Sequence, residues 1–193
     1  MKHRVITISR QFGSGGRTIG KEVAAKLGIP CYDQELIEMF ARESGYSEEY
    51  ISSIEEESTH RGLFSGLSDR AWQSSYMQVG LWNSQKRVIE DLAKKGPCVI
   101  VGRCADYILR DSANCLRVFI HADPEKRAER IVRVYGEREE TPMKRLSDKD
   151  KRRKAYYQLY TDGKWGEAEN YNITLDSGTL GLEKCVEILV GLY

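Results

Sequence analysis

The chain has little of what marks several large protein classes. Its 193 residues include 30 basic and 29 acidic side chains, so no excess of one sign would draw it to nucleic acid or to an anionic membrane. No apolar run is long enough to span a bilayer, and no secretory signal pattern is present. We therefore expect one cytoplasmic domain covering residues 1–193, with no membrane partner and no stable nucleic-acid partner. The oligomeric state is left open.

The cysteines and histidines are few and follow no ligand pattern. The five cysteines form no C-x-x-C pair, and most of them fall in apolar stretches. Such thiols are typically buried and reduced in the cytoplasm, rather than bound in disulfides or to zinc. The three histidines are scattered, and no role follows for them.

A glycine-rich turn is the most informative feature that is present. It follows a short β-branched run at Val5–Ile8 and precedes residues with helical spacing. Glycines let successive backbone N–H groups face one anion, and the start of the next helix adds its positive dipole end. This predicts an ATP- or phosphate-binding loop, although a strand-to-helix turn without a ligand is the alternative. The loop residues are Gly13, Ser14, Gly15, Gly16, Arg17 and Thr18.

The turn departs from the strict nucleotide-binding motif at two positions. The pattern G-x-x-x-x-G-K-[ST] would end on Gly16-Arg17-Thr18, with Gln11 at the first glycine position and Arg17 in place of lysine. Arginine keeps the charge but is longer and planar. The Thr18 hydroxyl is the tentative magnesium ligand.

Strand and helix patterns alternate along the chain, as in an α/β protein. Further strands are expected at Pro30–Asp33, Cys98–Val101, Leu116–His121 and Asn172–Leu175. Helices are expected after the loop as far as Leu27, at Gln34–Ser44, Ser47–Glu57 and Arg70–Lys95, from Asp123 to Tyr135, and around Leu182–Leu189.

Three regions are assigned from composition. The predicted core contacts of the long helix are Val79, Trp82, Val88, Ile89 and Leu92. Residues 34–95 are interpreted as a helical insertion on the acceptor side, with a mobile loop at Thr59–Ser68. Gly136–Lys151 is rich in charge, so a solvent-exposed lid rather than core is expected over about 136–153.

Seven short segments spread over nearly the whole chain carry a resemblance to a known family. They are ISRQFGSGGR at 8–17, PCYD at 30–33, VIVGRCAD at 99–106, DKRR at 150–153, YY at 156–157, WG at 165–166 and NYN at 170–172. Together they resemble the cytidylate kinase-like family of P-loop nucleoside monophosphate kinases. The resemblance implies a three-layer P-loop kinase fold, a five-stranded parallel sheet with helices on both faces and a mobile lid. It also implies transfer of the ATP γ-phosphate to a nucleoside monophosphate, with Mg²⁺ and with CMP or dCMP as the leading acceptor.

Phosphoryl transfer depends on positioning and on neutralising charge, so arginines are the expected catalytic groups. Arg17, Arg130 and Arg153 are the candidates that the resemblance favours. Where cytidylate kinases grip the acceptor phosphate with Gly-Arg-Asp, this chain has Gly102-Arg103-Cys104, and Asp106 could replace the missing acid. Asp33 resembles the carboxylate that contacts the acceptor sugar.

Each of these residues also has a structural alternative. Arg103 could begin a helix and pair with a surface carboxylate, and Asp33 could cap the helix that follows it. Arg127 could form an exposed pair with Asp123, four residues earlier, and Arg153 could belong to a solvated charge run. Tyr156, Tyr157 and Tyr160 are expected to be half-buried packing residues, and Trp165 a structural anchor.

Three functions remain open from the sequence. The first is a nucleoside monophosphate kinase. The unusual segment Gly45–Asn83 favours a second, a kinase of another small acceptor, and Arg17 at the lysine position leaves a third, a non-catalytic nucleotide-binding protein.

Overall fold

A computed structural model describes residues 4–51, 69–112 and 114–193, and for 69–77 only the backbone. The predicted loop Thr59–Ser68 lies outside the described residues, as does most of the predicted helix Ser47–Glu57, of which only 48–51 is described as helical.

Five parallel strands form one sheet, which confirms the predicted fold. The strands are β1 (Val5–Arg10), β2 (Cys31–Tyr32), β3 (Cys98–Val101), β4 (Cys115–His121) and β5 (Ile173–Asp176). Their order is β2-β3-β1-β4-β5, so the strand before the glycine-rich turn lies at the centre. Ligands of such sheets bind beyond the carboxyl ends of the strands.

Helices cover both faces of the sheet. They are α1 (Gly16–Leu27), α2 (Glu35–Ser44), α3 (Asp69–Lys95), α4 (Ala105–Ile108), α5 (Pro124–Tyr135), α6 (Pro142–Tyr160), α7 (Ser177–Leu180) and α8 (Leu182–Leu192), with a 3₁₀ turn at Ala168–Asn170.

Alternate residues of the strands build two separate cores, because successive strand side chains point to opposite faces. Val5 packs with α2, α3 and α6, whereas the adjacent Ile6 packs with α1 and α8. The same division separates Cys98 and Ile100 from Val99 and Val101 in β3. These two apolar cores fix the strand ends and therefore the site.

The predicted core face of α3 is wrong at one residue. Val79 is 55% exposed, whereas Leu81 is 2% exposed and lies on the same face as Ile89 and Leu92. Leu81 fits the 3.6-residue period of that face, eight residues before Ile89, and Val79 lies off it. The buried positions of this face include Gln85.

The charged segment expected to be a solvent-exposed lid is largely a helix with a buried face. From Pro142 onward it belongs to the 19-residue helix α6, in which Arg145 and Leu146 are buried. The side chain of Thr141 caps this helix, and Pro142 is its first residue. The same pair of signals, a capping side chain followed by proline, marks the start of α5 at Asp123 and Pro124. The high charge of 136–153 concealed that signal.

The cysteines are free thiols, as predicted. Four of them are buried, and burial raises the pKa of Cys98 and Cys115 to about 11, so both stay protonated at neutral pH. None of the described helices has both the length and the apolar character that crossing a membrane requires.

Candidate active site

The turn between β1 and α1 needs glycine at two positions. Gly13 and Gly15 have φ angles of 80° and 81°, in the left-handed region that glycine tolerates. A Cβ at Gly13 would lie 2.8 Å from the carbonyl oxygen of Arg127, and one at Gly15 would lie 3.1 Å from Cζ of Arg130. The loop is therefore packed closely against α5, and its backbone leads directly into the N-terminus of α1, a favourable place for an anion.

Ser14 supports this loop from beneath. Its side chain is buried and its Oγ donates toward the carbonyl oxygens of Gln11 and Ile120, at 2.9 and 3.1 Å. The Ser177 hydroxyl in turn donates to the Ser14 carbonyl at 2.6 Å. These bonds tie the turn to β4 and α7, so the side chain of Ser14 serves the loop itself.

Arg17 and Asp33 form an ion pair across the carboxyl ends of β1 and β2. The Nε of Arg17 donates to one carboxylate oxygen of Asp33, and Nη2 of Arg10 lies 3.8 Å from the other. The Asp33 side chain does not cap α2, whose N-cap is Gln34 and shows no side-chain cap bond. The structure thus joins the cation of the predicted donor loop to the predicted acceptor carboxylate.

Arg130 reaches the same loop from α5. Its Nη2 donates to the Thr18 hydroxyl at 3.1 Å, and burial, with a further effect of Arg133, lowers the pKa of Arg130. The Arg130 guanidinium nevertheless remains positively charged at neutral pH. Arg130 and Thr18 therefore present a cation and a hydroxyl together at the first turn of α1.

Arg127 and Asp150 form a largely buried ion pair that the sequence interpretation missed. Nη1 of Arg127 lies 2.7 Å from Oδ2 of Asp150, and the backbone N–H of Phe12 donates to Oδ1 at 2.7 Å. The expected exposed pair of Arg127 with Asp123 is not what forms, since the Asp123 side chain accepts from the backbone N–H of Glu125. Arg127 also donates to the carbonyl of Phe12, so the pair holds α5, α6 and the loop together.

Arg153 lies at the same junction. Its Nη1 donates to the carbonyl oxygen of Arg10 at 3.1 Å and is 3.7 Å from Asp150. Its guanidinium lies 5.6 Å from the centre of the Phe12 ring, a cation–π distance. Arg153 is thus fixed beside the loop rather than held in a solvated charge run.

Arg103 and Asp106 occupy different environments. Arg103 follows β3 in a left-handed conformation and lines the site, whereas Asp106 is 2% exposed and lies beneath it. Asp106 accepts hydrogen bonds from the hydroxyls of Ser9 and Tyr157, at 2.8 and 2.9 Å. Of the three predicted acceptor residues, the structure brings Asp33 and Arg103 to the cavity but not Asp106.

The burial of Asp106 predicts a pH-dependent difference from its amide variant. Burial raises the pKa of Asp106 above that of an exposed aspartate, and the bonds from Ser9 and Tyr157 offset part of this. As pH rises from about 4 to about 7, the unfolded wild type ionises first, so its stability should fall relative to Asp106→Asn. Urea unfolding of both proteins across this pH range measures the difference. If the free energies of unfolding of the two proteins change with pH in the same way, the raised pKa of Asp106 is contradicted.

The glycine-rich loop, Asp33, Arg103, Arg130 and Arg153 line one cavity of about 390 Å³ at the carboxyl ends of the strands. Seven of the described side chains around it are basic and Asp33 is its single carboxylate within the described residues. The basic residues are Arg10, Arg17, Arg103, Arg130, Lys149, Arg152 and Arg153. Such a surface is suited to binding phosphate groups.

The comparison with known families agrees with this arrangement. The model of the cytidylate kinase-like family matches residues 5–179. The chain belongs to the cytidylate kinase-like family. It is a phosphotransferase of the P-loop kinase fold, a kinase acting on nucleotides or small molecules.

Relatives and solved structures extend this result. A cytidylate kinase of Archaeoglobus fulgidus is 29% identical over 96% of this chain and 92% of its own. An uncharacterized protein of Eubacterium ventriosum has a TM-score of 0.73 at 26% identity, covering 97% and 96% of the two chains. Shikimate kinase from Acinetobacter baumannii has a TM-score of 0.53 at 16% identity, covering 98% and 92%, and shares the fold.

Proposed function

We propose that the chain transfers the γ-phosphate of ATP to a nucleoside monophosphate, with CMP or dCMP as the leading acceptor. The observation that supports it best is the single cavity in which the glycine-rich loop, Asp33 and Arg103 meet. In this assignment the loop residues bind ATP, Arg17, Arg130 and Arg153 act on the transferring phosphate, and Asp33 and Arg103 contact the acceptor.

The distribution of charge favours an acceptor that is itself anionic. Arg17 and Arg130 lie at the loop, but Arg10 and Arg103 lie towards β2 and β3, where the acceptor would bind. The excess of basic over acidic side chains on that side complements an anionic group better than a neutral sugar. A phosphomonoester carries that negative charge, and its oxygen can be placed in line with ATP.

The site is suited to a magnesium ion that is bound mainly by the phosphates of the nucleotide. Mg²⁺ binds few protein oxygens when phosphates and water complete its shell. The Thr18 hydroxyl, which already accepts from Arg130, is the protein oxygen that this assignment gives it. When bound, the ion would neutralise negative charge on the phosphates.

The residues of the chain would promote the reaction by positioning both substrates and by stabilising negative charge. The backbone N–H groups of the loop and the start of α1 bind the phosphates of ATP. Arg130 and Arg153 approach from α5 and α6 and stabilise charge as it develops on the transferred group. Arg103 holds the acceptor phosphate against them.

A coupled assay of ADP release tests the proposal. ATP and Mg²⁺ would be supplied with CMP, dCMP, UMP, AMP or GMP, and with shikimate and gluconate as non-nucleotide acceptors. We expect turnover with a monophosphate, fastest with CMP or dCMP. Faster turnover with a non-nucleotide acceptor would instead favour a kinase of another small molecule, and ATP binding without any turnover would favour a nucleotide-binding role.

Arg103→Ala tests the acceptor assignment. Loss of a hydrogen bond to a charged phosphate should raise the KM for the acceptor about 10- to 100-fold and change the KM for ATP much less. Arg110→Ala is the matched control, since Arg110 is exposed, lies against Tyr107 and does not line the cavity. An unchanged acceptor KM in Arg103→Ala would remove Arg103 from the acceptor site.

A further inference from the structure

The backbone that presents Arg103 is sterically unusual. Gly102, Arg103 and Cys104 are consecutive residues with φ angles of 79°, 57° and 54°. Glycine adopts this region freely, but Arg103 and Cys104 do so only against steric repulsion from their own Cβ atoms. Such a conformation persists where surrounding contacts determine it, and it often marks a functional position.

Gln85 of α3 makes a side-chain hydrogen bond to this backbone. Its Nε2 donates to the carbonyl oxygen of Arg103 at 2.8 Å, and its side chain is almost completely buried. The hydroxyl of Tyr156 donates to Oε1 of Gln85 at 2.6 Å. One amide therefore links the Arg103 peptide to both α3 and α6.

Tyr156 also interacts with the side chain of Arg103 directly. The Arg103 guanidinium lies 5.9 Å from the centre of the Tyr156 ring, so the ring supports the side chain while the hydroxyl supports the backbone through Gln85. Helix α6 also carries Lys149, Arg152 and Arg153 to the cavity. The position of Arg103 is thereby set relative to the helix that brings these three cations.

We propose that Gln85 is a positioning residue, which acts through its bonds to the Arg103 carbonyl and the Tyr156 hydroxyl to fix Arg103 for its anion. The proposal rests on the acceptor role given to Arg103 above. Gln85 itself lines neither the cavity nor its small neighbour beside Tyr156. Its influence on the acceptor is therefore indirect, and the proposal routes it through Arg103.

Gln85→Met and Tyr156→Phe break this connection while keeping its shape. Methionine fills the space of glutamine without its amide, and phenylalanine keeps the ring beneath the guanidinium without the hydroxyl. Each variant should raise the KM for the best monophosphate about 5- to 10-fold, because Arg103 samples other conformations. The KM for ATP should stay within about twofold.

Ser84→Ala is the matched control. Ser84 is the buried neighbour of Gln85 on α3, and its hydroxyl bonds to the carbonyl of Gly80 in its own helix. It should leave the acceptor KM unchanged.

Combining each variant with Arg103→Ala separates positioning from general destabilisation. If Gln85 acts through Arg103, Gln85→Met should change the acceptor KM by less than about twofold once Arg103 is absent. An effect that multiplies in full with that of Arg103→Ala would overturn the proposal. A variant that melts earlier while the acceptor KM stays at the wild-type value would also overturn it.

A readout without turnover keeps this test separate from the proposed function. Inorganic phosphate should raise the Tm of the wild-type protein, and by less in Gln85→Met and Arg103→Ala, with no further loss in the double variant. If no monophosphate is phosphorylated, the proposed function fails while this comparison still decides the role of Gln85. Equal phosphate responses in wild type and Gln85→Met would contradict the positioning role.

Discussion

Arg17→Ala is expected to lower kcat/KM for ATP by about 100- to 1000-fold, the usual loss when one donor to a developing oxyanion is removed. Arg17 occupies the lysine position of the phosphate loop, at the first turn of α1. The ADP-release assay with the best acceptor measures the loss. The Tm should also fall, because Arg17→Ala leaves the largely buried carboxylate of Asp33 with Arg10, at 3.8 Å, as its nearest described cation.

Two further variants test whether the loss of activity is due to the Arg17 side chain itself. Arg17→Lys restores the residue of the common motif and should lose only about tenfold, since the charge remains but the planar fork is gone. Lys21→Ala, one turn along α1 on its exposed face, should behave like wild type. If Arg17→Ala keeps full activity, another cation performs the lysine's role.

The largest effect on stability is expected from breaking the pair of Arg127 with Asp150. Arg127→Met should lower the free energy of unfolding by about 3 kcal/mol, because it removes the paired cation of the Asp150 carboxylate and the side-chain donor to the carbonyl oxygens of Phe12 and Ala122. For a domain of this size that corresponds to a fall in Tm of roughly 6–12 °C. Urea and thermal unfolding measure both quantities.

The control for this buried pair is an exposed ion pair at the N-terminal end of α6. Lys144 lies 2.6 Å from Glu140, with its side chain 65% exposed, so Lys144→Ala should cost about 0–1 kcal/mol. Asp150→Asn provides a second break of the buried pair if Arg127→Met does not fold. Equal Tm values for Arg127→Met and Lys144→Ala would show that burial adds nothing to this interaction.

Local patterns in the sequence were sufficient to predict the glycine-rich turn and the strand and helix on either side of it. The glycines of 13–16 and the β-branched residues of β1 lie within a dozen residues of one another, and a turn of this kind depends on neighbours along the chain. The five strands were found for the same reason, although every strand except β3 differs from its predicted bounds by one or two residues.

The contacts that complete the site could not be predicted because they join distant parts of the chain. Nothing local marks Gln85 as the partner of Arg103, or Asp150 as the partner of Arg127 rather than Asp123. The buried face of α6 was missed since charged residues occupy most of its surface. The placement of Asp106 beneath the site depends on Ser9 and Tyr157, which reach it from β1 and α6.

The ion pair between Arg17 and Asp33 has a consequence for how the binding of one substrate affects the binding of the other. A phosphate chain arriving at the loop competes with Asp33 for Arg17, and once it prevails an oxygen of Asp33 becomes available to the hydroxyls of a second molecule. The first substrate would then tighten the binding of the second, a heterotropic synergy. Titrating the acceptor with and without a non-hydrolysable ATP analogue would reveal it as a lower Kd in the ternary complex, and Asp33→Asn would weaken that coupling.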